Sequence, residues 1–155
     1  MAEKRIKIAK NKAKLVKDLK ASDDTDGGIF QTYVDVMVFA AALGVKRKKR
    51  VPLVEFARDL DPIRRDYFDN NRCELLINLL AISETQDQKV LADNEESDEQ
   101  RIKIFEEYAN GGLEILQDEL RGAVDYSERI LLILSSERIQ QEHQEEDFDL
   151  SRFLL

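Results

Sequence analysis

Apolar positions are densest between Thr32 and Gly44, TYVDVMVFAAALG, and the ten residues from Val36 to Val45 carry no charge. This stretch predicts a helix. Thr32 can cap its start, with Asp35 three residues on to complete the cap. Gly44 can take the left-handed position at its end, and the cations that follow complement the negative end of the dipole. Apolar side chains on almost every side predict burial in a core.

Upstream, Lys4-Arg5-Ile6-Lys7-Ile8 alternates charged and apolar residues, the period of a half-buried strand. Asn11 opens a short helix to Lys20, with Leu15, Val16 and Leu19 inward and Lys10, Lys14 and Lys17 on one outer face. Ala21 to Gly28 is a polar loop, and Val45 to Val51 a basic turn or hairpin closed by Pro52.

Downstream the pattern becomes helical and acidic. Leu53 to Leu60 fits a short helix, and Asp61-Pro62 is a start signal for a longer one. That helix would turn Ile63, Tyr67, Leu75, Leu76, Leu79, Leu80 and Ile82 inward, then fray between Thr85 and Asn94. Ser97 and Gln100 form a capping box for a helix with Ile102, Phe105, Tyr108 and Ala109 on one side. Asn110-Gly111-Gly112 is expected to break it, before a further helix carrying Leu113, Leu116 and Leu120 to Gly122. Asp125 caps the last helix, in which Ile130, Leu131, Ile133 and Leu134 would be buried. The expected fold is mainly α, a compact helical bundle with a short N-terminal strand or small β-hairpin. One domain would cover residues 1–137, basic over 1–52 and acidic over 53–137, with an acidic–apolar tail over 138–155.

Charge changes this picture more than composition does. The 155 residues suffice for one domain with a core. The net charge of −8 conceals a split: residues 1–50 hold 13 Lys/Arg against 6 Asp/Glu, whereas residues 51–155 hold 11 against 26. Two electrostatic faces, +7 and −15, could serve two partners. The single cysteine, Cys73, cannot form an internal disulfide. No apolar run approaches the roughly 20 residues of a membrane span, and no apolar signal core follows the first lysines. The expectation is a cytoplasmic protein without a membrane partner.

Chemical signatures are few. Cys73 and His143 are too few for a zinc site, and a thiol in an apolar helical stretch is expected to be inert. Gly27-Gly28 and Gly111-Gly112 lack the residues of a phosphate loop. Glu106-Glu107 and Glu145-Glu146-Asp147 are expected on solvated faces. No catalytic residue, metal or cofactor is therefore expected, and the chain is not expected to be an enzyme.

Binding features are stronger. Lys46, Arg47, Lys48, Lys49 and Arg50 put five cations on one turn, as a solubilising loop or as phosphate contacts. In the second case DNA affinity would fall with salt at a slope of about −4 to −5. The order strand, helix, helix over Arg5 to Leu43 is also that of a ribbon–helix–helix module, in which Arg5 and Lys7 would face bases. Lys10, Lys14 and Lys17 would extend such a nucleic-acid surface. At the other end Phe148, Leu150, Phe153, Leu154 and Leu155 stand among acidic residues, a pattern suited to a partner groove rimmed with cations or to folding back on the bundle.

RIKIAKNKAKLV, FQTYVDVMVFAAALGVKRKKRVPL and IFEEYANGGLEIL resemble, in the same order and over roughly residues 5–120, the small Dnd system-associated proteins found beside bacterial DNA-phosphorothioation genes. The resemblance implies an accessory role in sulfur modification of DNA, or in the restriction and phage defence that reads it. It brings no catalytic motif, and it leaves the tail after Ser135 outside. Two functions follow as expectations: contact with DNA or DNA-bound Dnd components through the basic residues, or a protein–protein adaptor working through the acidic face and tail. A homo-oligomer is compatible with either.

Overall fold

A computed structural model describes residues 4–21, 28–70 and 72–146, with side chains as far as Gln141. Among these residues the architecture is mainly α, six α-helices with one two-stranded antiparallel sheet. Strand β1 (Arg5–Ile6) is followed by a 3-10 turn over Lys10–Lys12 and by helices α1 (Ala13–Leu19) and α2 (Tyr33–Lys46). Strand β2 (Ile63–Arg64) leads directly into α3 (Arg65–Asn70), then α4 (Glu74–Thr85). A 3-10 turn over Gln88–Leu91 precedes α5 (Glu95–Glu119) and α6 (Tyr126–Glu146).

The alternation at the N-terminus behaves as its period demands. Ile6 and Ile8 are buried while Arg5 and Lys7 face outward. Its partner is distant in sequence, because β1 pairs antiparallel with β2, Arg5 opposite Arg64 and Ile6 opposite Ile63. Asp61-Pro62 thus introduces a strand rather than a helix, and 53–60 is irregular chain whose Phe56 bridges Ala9. The expected helix from Ile63 is interrupted between α3 and α4, where Arg72 takes a positive φ of 61°. On these elements Tyr67, Leu75 and Leu79 face outward, contrary to the sequence pattern.

The centre is the contact between helices α2 and α5. Thr32 caps α2 as expected, its Oγ1 accepting from the Asp35 N–H at 3.1 Å. Gly44 does not end that helix. It lies inside α2 where a Cβ would collide with the Tyr108 carbonyl oxygen, and Lys48 instead takes the left-handed conformation, φ 54°. Gly111 and Gly112 likewise do not break α5. They let the backbone of Lys49 and Ala40 approach within side-chain distance, so the helix runs on for 25 residues. The N-cap of α5 is Asn94, accepting from the Ser97 N–H at 2.8 Å, rather than Ser97 itself.

Phe68 packs edge-on against Phe105 in the middle of the core, ring centroids 5.4 Å apart. Asp125 caps α6 by accepting from Ser127 N–H at 2.9 Å. That helix buries Ile130 and Ile133 but leaves Leu131 and Leu134 outside, and it runs through the boundary expected near residue 137 to Glu146. Residues 22–27 of the loop expected over Ala21 to Gly28, and Phe148, Leu150, Phe153, Leu154 and Leu155, lie outside the described residues.

Candidate functional site

The cationic turn is the densest concentration of charge in the chain, and the fold sets three of its five cations against carboxylates. Because α2 ends against the middle of α5, the turn is surrounded by carboxylates from three helices. Arg47 donates from Nε to Glu137 of α6 at 2.7 Å and from Nη1 to Glu119 of α5 at 3.3 Å. Lys49 pairs with Glu114 at 3.6 Å. Arg50 donates to Glu84 of α4 at 2.7 Å and to Glu107 of α5 at 3.2 Å, and Glu84 also accepts from the Tyr108 hydroxyl. The turn is a clasp across α2, α4, α5 and α6.

Electrostatics agree with that geometry. The hydrogen bond to Glu137 is the largest influence holding Arg47 above its ordinary pKa. Burial opposes the charge on Arg50, yet Glu107 and Glu84 outweigh it and hold that guanidinium up as well. Glu84 is drawn below the usual carboxylate range, first by the Tyr108 hydroxyl and then by Arg50. Glu107, expected on a solvated face, is buried beneath Arg50, and its neighbour Glu106 is buried too.

The other predicted cations divide in the same manner. Lys10 pairs with Glu55 at 3.5 Å and Lys17 with Asp59 at 2.6 Å. Lys7 lies over the Phe56 ring at 4.6 Å. Arg5, opposite Arg64 on the outer face of the sheet, donates to the Pro62 carbonyl at 3.4 Å. Lys14, Lys46 and Lys48 are exposed, and among the described residues no carboxylate pairs with them. The ribbon of a ribbon–helix–helix dimer is not what β1 builds. One edge of its strand is taken by β2, and the Lys7 N–H on the other donates to Glu106 Oε2 at 2.6 Å.

The chain matches the family model of DNA sulphur modification system-associated protein 4 over residues 5–153. It belongs to that family. The match extends past residue 120, so the end of the chain that first looked foreign to the resemblance lies within it to residue 153. No curated protein and no solved structure matches the chain significantly. Membership associates this protein with a DNA sulphur modification system, while the chemistry of its surface has to be read from the residues themselves.

In this family member the Cys73 thiol is half-buried just before α4, and desolvation, followed by the charge of Asp35, pushes its pKa up. A thiol held protonated is a poor nucleophile. The His143 side chain lies outside the described residues. Among the described residues no group of three or more His, Cys, Asp or Glu side chains is placed to hold a metal ion, and no helix is long and apolar enough to cross a membrane.

Sequence reasoning missed a second surface. On α6, Leu131, Leu132 and Ile139 are exposed by 63%, 56% and 54% and lie opposite the buried Ile130 and Ile133. A helix apolar on both faces, with only one covered, has an unpartnered side. The available signal was that Ile-Leu-Leu-Ile-Leu in α6 cannot all fall on one helical stripe.

Proposed function

We propose that this protein is a non-enzymatic accessory factor of a DNA sulphur modification system that works as an adaptor, docking a second protein component of that system against the outer face of α6. The observation that carries this is the exposed row Leu131, Leu132 and Ile139 on the side of α6 away from the body. Internal pairing of Arg47, Lys49 and Arg50 supports the same conclusion, since ion-paired cations are poorly disposed to release counterions from DNA. Participation in modification, or in the restriction and phage defence that responds to it, is part of this proposal.

Contact with DNA keeps one specific observation in its favour. Arg5 and Arg64 face the same side of the sheet, at a cleft of about 700 Å³ where Lys20 stacks on Tyr33 and Arg64 on Tyr67. Cations interleaved with aromatic rings suit a nucleic-acid strand.

Co-purification of the full chain with co-expressed components of such a system separates the two. Leu131→Asp with Leu132→Asp is expected to reduce capture at least tenfold while leaving the thermal midpoint within a few degrees, because both side chains are exposed. Undiminished capture by that variant, or capture lost in Arg5→Gln with Arg64→Gln and abolished by nuclease, would exclude the adaptor and leave the basic cleft as the interface.

A further inference from the structure

Helix α6 rests on the body by a single stripe. Tyr126, Ile130, Ile133 and Glu137 are buried or half-buried, and they recur at i, i+4, i+7 and i+11. The opposite stripe passes through Leu132, Ser135 and Ile139, all exposed, with the exposed Leu131 and Ser136 at its sides. From Ile139 back through Ser136-Ser135 to Leu132 it runs apolar, polar, apolar.

The chain beyond α6 has the matching order. Residues 147–155, DFDLSRFLL, lie outside the described residues. Within them Leu150, Ser151-Arg152 and Phe153-Leu154 are again apolar, polar and apolar. Reach brings the two orders into register. At about 1.5 Å per helical residue, Ile139 lies about 10 Å and Leu132 about 21 Å back from Glu146. At about 3.3 Å per extended residue, with up to one residue spent on the reversal, Leu150 returns about 10–13 Å and Phe153 about 20–23 Å. Ser151 and Arg152 then fall level with Ser135 and Ser136. Residues 22–27, SDDTDG, also lie outside the described residues, but they carry no apolar side chain with which to cover this face.

Charge favours the same place. Arg47 joins the cationic turn to α6 at Glu137, and Lys46 and Lys48 on either side of it are exposed. Asp147 and Asp149 of the tail lead back toward that part of the helix, and exposed charges attract over roughly 8 Å at physiological salt.

We propose that residues 147–155 fold back over the outer face of α6 as a latch, with Leu150 against Ile139 and Phe153 against Leu132, and that a protein partner binds by displacing them. The competition rests on the adaptor role proposed for that face, whereas the latch contact stands on the helix and the tail alone. A latch of this kind lowers the apparent affinity for the partner by the fraction of molecules in which it is open.

Paired thiols test the latch without any partner. In the full chain carrying Cys73→Ser, Ile139→Cys is combined with Leu150→Cys, and separately Leu132→Cys with Phe153→Cys. Each is oxidised mildly, digested and read by mass spectrometry. Both pairs are expected to close within one chain, because the contacts bring their Cβ atoms within reach of a disulfide, while Glu128→Cys with Leu150→Cys stays reduced. Leu150→Asp with Phe153→Asp is expected to raise capture of co-expressed system components at least about threefold. Pairs that stay open, close no better than the Glu128 control or close only between two chains would overturn the proposal. So would capture unchanged or lowered by the tail variant while Leu131→Asp with Leu132→Asp still reduces it. Failure of the adaptor role reads differently: capture survives Leu131→Asp with Leu132→Asp, and the thiol pairs still close.

Discussion

Gly112→Ala is expected to destabilise the protein by about 3 kcal/mol or more, measured by urea denaturation, although the same change in an exposed helix would add about 1 kcal/mol of stability. The sign reverses because of what lies opposite. At Gly112 the new methyl would sit inside the contact distance of the Ala40 carbonyl oxygen, with the Ala40 Cα and carbonyl carbon just behind it. Those are backbone atoms of a packed helix, so no rotamer change relieves the overlap and α2 must move away from α5. Moving it also disturbs Gly44 against Tyr108, one turn along the same contact. A variant as stable as the parent would mean that the two helices do not approach this closely.

Glu106→Gln should make the protein more stable at pH 8 by up to about 3 kcal/mol and change it little at pH 5. Burial is the largest influence on the Glu106 carboxyl and raises it from 4.5 to about 7; the Lys7 N–H and charge oppose this, and Glu107 adds to it. Between those values the folded protein binds more protons than the unfolded chain. The group's contribution to stability is therefore full below about 4.5 and is lost as pH rises through about 7. Glutamine stays neutral throughout, and its oxygen can still accept from the Lys7 N–H that Glu106 Oε2 now accepts at 2.6 Å. Thermal midpoints of parent and variant from pH 5 to 8 should diverge across that window. Parallel curves would show that Glu106 is solvated and titrates as an ordinary glutamate.

Local pattern carried the elements whose causes are local. The alternation at Arg5 to Ile8, the inward stripe Leu15, Val16 and Leu19, the Thr32 and Asp125 caps and the burial of α2 all follow from spacing within a few residues. What failed were residues whose role is set by a distant neighbour. Gly44, Gly111 and Gly112 look like helix terminators in isolation, but their purpose is to admit another backbone. Asp61-Pro62 has the chemistry of a helix start, yet the chain there is captured as a strand by β1, more than fifty residues earlier. Breaking α5 in two at the glycines also hid its status as the central helix, and with it the burial of Glu106 and Glu107. The site shows the same division. Five cations in a row are obvious in the sequence, but which of them meet carboxylates depends on where Glu84, Glu107, Glu114, Glu119 and Glu137 are carried by three other helices.

On the adaptor proposal the cationic turn holds helices together rather than facing a polyanion, and the apolar side of α6 is left for a partner. A double-mutant cycle on Arg50→Gln and Glu107→Gln, read as unfolding free energies, tests it most directly. The Glu107 side chain is only 8% exposed and Arg50 reaches it at 3.2 Å, so removing the arginine alone strands a buried charge. We expect Arg50→Gln to cost about 2–3 kcal/mol, and the double variant to recover at least about 1 kcal/mol of that. A coupling indistinguishable from zero, with Arg50→Gln as stable as the parent, would contradict the clasp and return the turn to solvent and to DNA.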